Sequence, residues 1–276
     1  METDQYIRSL LPSEIDSVIS NSPWETVTVG QSGDLCFRVG LTDGKTGYLK
    51  SYFGLKRSEP AFELSVIDWL QERVPVATVR GHGKSSISAA HQFILWNSLR
   101  GKAAHDLVGQ VEPAIIVRIC AEAAWKLHQL NIGDCSLDQR LIVKVPRAIA
   151  EADQGRIRIG ALDASRKGWS VDRLKRELQS NVPFSEDLVF THGDFCLPNL
   201  IANREGLSGF IDLGRAGVAD WHQDIALVLR SLQSSLGQAH EDLFLRHYGL
   251  IDQLDRKKSL SINCSMSSFD NFTLSI

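Results

Sequence analysis

The chain has 276 residues, enough for one large or two modest domains around a substantial core. A hydrophobic fraction of 43% and a charged fraction of 23% are ordinary for a globular protein, and a net charge of −3 without any Lys/Arg block argues against a nucleic-acid partner. No apolar run reaches membrane-spanning length, and METDQYIRSL lacks the basic-then-apolar order of a signal peptide. The cysteines (Cys36, Cys120, Cys135, Cys196, Cys264) are odd in number and form no C-x-x-C, so they read as reduced thiols of a cytoplasmic protein.

In chain order, Pro12-Ser13-Glu14 opens a short helix with Ile15, Val18 and Ile19 as its apolar stripe. Trp24 to Val29 and Leu35 to Val39 alternate like paired strands, joined by Gly30-Gln31-Ser32-Gly33-Asp34. After a Thr42-Asp43-Gly44 turn, Gly47-Tyr48-Leu49-Lys50 reads as a third strand. The pattern from Pro60 to Glu72 predicts a helix with Phe62, Val66, Trp69 and Leu70 on one side and Glu63 at its start. Val76 to Val79 and Gln92 to Trp96 are strand candidates, separated by a Gly/Ser-rich turn at Gly81 to Ser88. The polar stretch Asn97 to Gly101 reads as a hinge, and from Ala104 onward the chain is mainly helical. Ala114 to Leu130 presents Ile115, Ile119, Ala123, Leu127 and Leu130 as a core helix, in which His128 reads as structural. Leu137 to Ala152 and Val171 to Leu178 are amphipathic helices flanking a polar segment, Asp153 to Ser170.

The stretch from Leu188 to Leu229 carries the chemistry. It reads as strand, polar loop, strand, tight turn, strand, loop and helix, with His192, Asp194, Asn199 and Asp212 at the ends of short buried strands. Asn and Asp are hard oxygen donors and no Cys or His lies at zinc spacing, so the set suits Mg²⁺, which takes one or two protein ligands. Asn199 and Asp212 supply two, leaving Asp194 to act on a hydroxyl. The spacing parallels the protein-kinase catalytic loop H-R-D-x-x-x-x-N with its later metal-binding D-F-G: here His192-Gly193-Asp194, Asn199, and Asp212-Leu213-Gly214. Any one of these residues alone would equally suit a polar hairpin turn. Asp220 reads as the cap of the following helix, and Asp224, among apolar neighbours, is a carboxylate that burial would oblige to find donors.

The strings HGDFCLPNL and GFIDLGRAGVADWHQDIAL resemble the aminoglycoside phosphotransferases, most of all the 3′-phosphotransferases of the kanamycin-kinase type. The resemblance runs from about residue 25 to about residue 250 and is most specific after Asp187. It implies an α+β, bilobal protein-kinase-like fold, with a small β-rich nucleotide-binding lobe over residues 1–97 and a larger, mainly helical catalytic and substrate-binding lobe over 98–276. It further implies ATP-dependent, Mg²⁺-assisted phosphorylation of an aminoglycoside hydroxyl, the 3′-OH of kanamycin or neomycin, and hence antibiotic resistance. In that frame Asp194 is catalytic and orients the acceptor, Asn199 and Asp212 hold the metal, and Lys50 paired with Glu63 holds the α- and β-phosphates. The Ser32 turn would cover the phosphates, although alone it is equally an ordinary hairpin loop. Asn97 and Leu99 would hold adenine through backbone groups. Asp163 aligns with an acidic substrate contact, a plain loop carboxylate being the alternative. Asp224 would support the backbone of the loop containing His192, and Arg215 would offset carboxylate charge. The expected state is a monomer or weak dimer. The rivals are a streptomycin 3″-phosphotransferase or another small-molecule kinase, and a nucleotide-binding protein with impaired catalysis.

Two departures from the family stand out. Ser234 and Ser235 occupy the helix position where relatives carry an acid, and the chain ends SLSINCSMSSFDNFTLSI where relatives end Leu-Leu-Asp-Glu-Phe-Phe. Ser261 to Asp270 can be written TCT ATC AAT TGC TCG ATG AGT TCT TTT GAC, which from its third base reads Tyr-Gln-Leu-Leu-Asp-Glu-Phe-Phe and a stop. Residues from about 259 to 276 are therefore hypothesised to be a frameshifted family C-terminus. Gene codons that cannot yield the second reading would refute this.

Overall fold

The structure is a computed structural model that describes residues 3–27, 35–54, 59–155, 168–180, 182, 183 and 185–249. The Ser32 turn, Asp163 and the Ser-rich tail lie outside the described residues.

Two short helices, α1 (Thr3–Ser9) and α2 (Ser13–Asp16), precede an antiparallel five-stranded sheet. Its strands are β1 (Glu25–Val27), β2 (Leu35–Gly40), β3 (Thr46–Phe53), β4 (Val79–Lys84) and β5 (His91–Asn97), in spatial order β1-β2-β3-β5-β4. Side chains alternate across a strand, so Phe37, Val39, Leu49, Phe93 and Leu95 form one buried face, packed against Ile7, Leu10, Leu11, Ile15 and Ile19. Lys50 and Tyr52, out of phase with Leu49, therefore emerge on the opposite face. Helix α3 (Glu59–Leu70) lies between β3 and β4 in sequence and buries Val66 and Leu70 completely. Helix α1 has no counterpart among the sequence expectations.

The second half opens with β6 (Lys102–Ala103) and the core helix α4 (Pro113–His128), which starts with proline, where a missing N–H costs nothing. Ile116, Ile119, Cys120, Ala123 and Leu127 of α4 are buried, whereas Ile115 and Leu130 are only partly covered. Helices α5 (Leu141–Asp153) and α6 (Val171–Ser180) pack on one another through Leu141, Ala148, Leu174 and Leu178. From Leu188 onward the chain supplies β7 (Leu188–Thr191), β8 (Leu200–Ala202), β9 (Leu207–Phe210), β10 (Gly217–Asp220), α7 (His222–Leu236) and α8 (Glu241–Tyr248). Strands β6, β8 and β9 form one small sheet, and β7 with β10 another. Both rest on the large core that α4, α7 and α8 share with Phe190, Phe195 and Phe210. No helix among the described residues is long and apolar enough to cross a membrane.

Four element expectations need correction. Val76 makes only an isolated bridge to Phe210, and the strand begins at Val79 and runs through the glycines read as a turn. Those glycines permit close packing: a Cβ on Gly83 would meet Pro12 Cγ at 3.1 Å and one on Gly81 would meet Ile15 at 3.3 Å. Helix α5 begins at Leu141, not Leu137, because Leu137 and Gln139 exchange backbone bonds with Val218. Gly217 to Asp220, read as loop, is a strand buried at every position, so it lacks the alternation that marks a half-exposed one. At the N-terminus, α2 ends at Asp16, and Val18 and Ile19 lie beyond it, Ile19 bridging Leu41.

Candidate active site

Strand β3 delivers Lys50 to the face opposite the sheet core, and two carboxylates converge on it. Lys50 Nζ donates to Asp212 Oδ1 at 2.9 Å and lies 3.8 Å from Glu63 Oε2. Glu63, 3% exposed in α3, is fixed by the Tyr52 hydroxyl, which donates to its Oε2 at 2.6 Å. The Lys50 ammonium also lies 5.0 Å from the centre of the Tyr52 ring. Helix α3 is held against the catalytic strand by Trp69, whose ring stacks on Phe190 of β7 at 4.6 Å.

Asp212 follows β9 with φ of 57°, the only positive φ among described non-glycine residues. Such a conformation costs about 1–2 kcal/mol and concentrates at functional sites. Its side chain is 45% exposed, while the Lys50 ammonium beside it holds the carboxyl at about 2, below the usual carboxylate range, with a smaller contribution from Arg215. Gly214, two residues on, lies against Glu63. Asn199 is registered with this turn by its own backbone, since Ile211 N donates to Asn199 O at 3.1 Å. Asn199 Nδ2 donates to Asp194 O at 2.9 Å, which commits the amide nitrogen and leaves the amide oxygen as the available ligand atom.

The loop that carries Asp194 is held from behind. Asp224, fully buried in α7, accepts from His192 N at 2.7 Å and Gly193 N at 3.0 Å, while Gln223 Nε2 donates to Gly193 O at 2.9 Å. Gly193 has φ of 79°, and a Cβ there would sit 2.1 Å from Arg215 O, so only glycine fits. The His192 ring spans from Asp194 N, 3.3 Å from Nδ1, to Ile211 O, 3.1 Å from Nε2, joining the Asp194 and Asp212 segments. Two thiols border the site: burial pushes Cys36, opposite Lys50 in the sheet, to about 11, and raises Cys196, whose Sγ lies 4.0 Å from Asp194 Oδ1.

At the hinge, Asn97 N donates to Thr78 O and Ser98 N to Thr46 O. Asn97 and Leu99 line a cavity of about 570 Å³ with Thr46, Val76, Ser98 and Arg100, and Asn97 Oδ1 is buried with no hydrogen-bond partner among the described residues. Asp220, expected as the helix cap, is instead the last residue of β10, Trp221 being the N-cap of α7; its carboxylate accepts from His222 N and Asp187 N, both at 2.9 Å. Of the sequence-derived set, the structure thus brings together Lys50, Glu63, His192, Asp194, Asn199, Asp212, Arg215 and Asp224, and places Asn97 and Leu99 at the hinge.

Residues 24–258 match the profile of the phosphotransferase enzyme family. The chain belongs to that family. An aminoglycoside 3′-phosphotransferase from Niallia circulans is 34% identical over 252 residues, covering 90% of this chain and 93% of that protein. A crystal structure of an aminoglycoside 3′-phosphotransferase of type VIII superposes with a TM-score of 0.77 at 29% identity, over 91% of this chain and 94% of that one. A Streptomyces rimosus aminoglycoside phosphotransferase in complex with ADP and streptomycin shares the fold, with a TM-score of 0.76 at 23% identity and 99% coverage of each chain. The α+β architecture, a β-sheet first half and a helical second half, is therefore that of the protein-kinase-like phosphotransferases, and the chain is a kinase that transfers phosphate to a hydroxyl group.

Two contributors escaped sequence reasoning: Tyr52, which donates to Glu63, and Gln223, which donates to Gly193 O. Tyr52 had a legible signal, lying two residues beyond Lys50 on the same strand face.

Proposed function

We propose that the chain phosphorylates a hydroxyl of aminoglycoside antibiotics, the 3′-OH of kanamycin or neomycin, with ATP as donor and Mg²⁺ as cofactor. The observation that carries this is the convergence of Lys50, Glu63 and Asp212 beside an Asn199 whose amide oxygen is uncommitted. The similarity to 3′-phosphotransferases over nine-tenths of both chains supports the acceptor class.

The site chemistry fits a hard divalent cation. Asn199 offers an amide oxygen and Asp212 a carboxylate that stays ionised to about pH 2, both suited to Mg²⁺. When bound, such an ion supplies charge neutralisation along the triphosphate. Lys50, positioned by Glu63, neutralises phosphate charge from the sheet side. Asp194, held at the head of its loop, orients the acceptor hydroxyl and takes its proton as the phosphoryl group transfers. Asn97 and Leu99 meet adenine at the hinge. The functional division falls between residues 1–97, which handle nucleotide, and 98–276, which handle catalysis and acceptor.

The test is Mg-ATP consumption with kanamycin, neomycin, streptomycin and choline offered in turn, with turnover expected on the first two. Asp194→Ala should keep nucleotide binding and lose roughly 10²–10⁴-fold in turnover; full activity in that variant ends the proposal. Asp212→Ala should instead lose Mg²⁺-dependent nucleotide binding, read by calorimetry with and without the metal.

A further inference from the structure

Behind the catalytic loop, the C-terminal ends of α4 and α8 meet α7, where buried Asp224 and His128 adjoin the part-buried hydroxyl of Tyr248. Asp224 accepts the His192 and Gly193 N–H groups, and its Oδ2 also lies 3.3 Å from His128 Nε2. An ionised carboxylate can only accept, so His128 must present a proton on Nε2. The other ring nitrogen, Nδ1, lies 2.5 Å from the hydroxyl of Tyr248, the last residue of α8. A neutral imidazole with its proton on Nε2 has a lone pair on Nδ1, which only a donor satisfies. The phenol is suited to that part, because burial and the Asp224 charge raise its pKa and keep it protonated. Its ring is clamped independently, stacking with Phe244 at 6.0 Å and Trp221 at 6.3 Å.

We propose that Tyr248 is a positioning residue for phosphoryl transfer: its hydroxyl locks His128 in the Nε2–H tautomer, which completes the donor set of Asp224 and thereby fixes the backbone ahead of Asp194. The opposite tautomer would turn a nitrogen lone pair toward a buried carboxylate and leave Asp224 with one donor fewer. In that tautomer His128 would no longer supply the third donor of the buried Asp224 carboxylate. The inference rests on the assignment of Asp194 to the acceptor hydroxyl, since misplacement of that side chain is what lowers the rate.

The experiment uses the full chain labelled with ¹⁵N-histidine, with His128→Gln identifying the His128 signals. The unaltered protein should show a neutral Nε2–H ring at His128, and Tyr248→Phe should convert it to a mixture. In the same variant kcat with Mg-ATP and kanamycin should fall roughly tenfold to a hundredfold, as for a small misplacement of a catalytic group, with KM for both substrates unchanged. A glutamine at 128 donates to Asp224 without having tautomers, so adding Tyr248→Phe to His128→Gln should cost nothing more, a double-mutant cycle with full coupling. A ring protonated on Nδ1 in the unaltered protein, whether neutral or as imidazolium, an unchanged tautomer in Tyr248→Phe, or equal kcat losses in both backgrounds overturns the proposal. If the unaltered protein turns over no acceptor, the functional reading falls, while the ring-nitrogen spectra still decide the Tyr248 assignment.

Discussion

The two sides of the loop from His192 to Asn199 are built on opposite terms. Behind it, Asp224 is fully buried and accepts from two backbone amides, with a histidine nitrogen as a third neighbour. In front, Asp212 is half-exposed, sits in a left-handed conformation and has Lys50 as its close cationic partner. The rear carboxylate is enclosed by three protein donors and serves to hold shape. The front set keeps the Asn199 amide oxygen and the exposed part of the Asp212 carboxylate for a cation, with the Lys50 ammonium held beside them by two carboxylates. Saturation of polar groups, more than residue type, separates the scaffold Asp from the working ones.

The contrast can be broken by substitution. Asp224→Ala leaves two buried N–H groups and a histidine without their acceptor, and should destabilise the fold by about 3–5 kcal/mol in urea unfolding. A loss no larger than that of an exposed carboxylate would put both sides on one footing. Gly193→Ala should cost roughly 2 kcal/mol or more, from the positive φ and from contact with the Arg215 carbonyl. Its crystal structure should show the 215 segment displaced. The smallest effect belongs to the front. The folded pKa of Asp212, about 2, lies below the ordinary carboxylate value of about 3.9, so its ion pair contributes fully above that value and is lost as pH falls toward 2. Exposure limits the contribution to no more than about 1 kcal/mol. Asp212→Asn should flatten the stability curve across that window, and an unaltered slope would assign the pH dependence elsewhere.

The front was the more legible side in the sequence. Asp194, Asn199 and Asp212 lie within one short stretch whose strands fix their relative positions, so spacing alone carried the reading. The rear depends on partners far apart in the chain: His128 meets Asp224 across 96 positions and Tyr248 across 120. Neither has a spacing to recognise. Strand β10 escaped because a strand buried at every position shows no period of two, and β4 because glycines chosen for close packing look like turn residues. Glu63 could be named in advance through the family resemblance, and strand alternation puts Tyr52 on the face of Lys50, but the bond from Tyr52 to Glu63 depends on how α3 packs on the sheet.

The stretch just after α3 has a mechanical consequence. Phe210 N donates to Pro75 O at 3.1 Å, Val76 bridges Phe210, and a side chain on Gly209 would collide with the Pro75 carbonyl at 2.8 Å. The trailing end of the Glu63 helix is thus stitched to the hairpin that leads into Asp212. A pivot about Pro75 would carry Glu63 with the large core that α3 joins while Lys50 and Tyr52 move with the sheet, so the Tyr52–Glu63 hydrogen bond would have to yield along with the Lys50–Glu63 contact. Gating would then be felt first as stretching of the Lys50–Glu63 contact. Slow amide exchange at Phe210, unaffected by nucleotide, is the expected mark of that fulcrum.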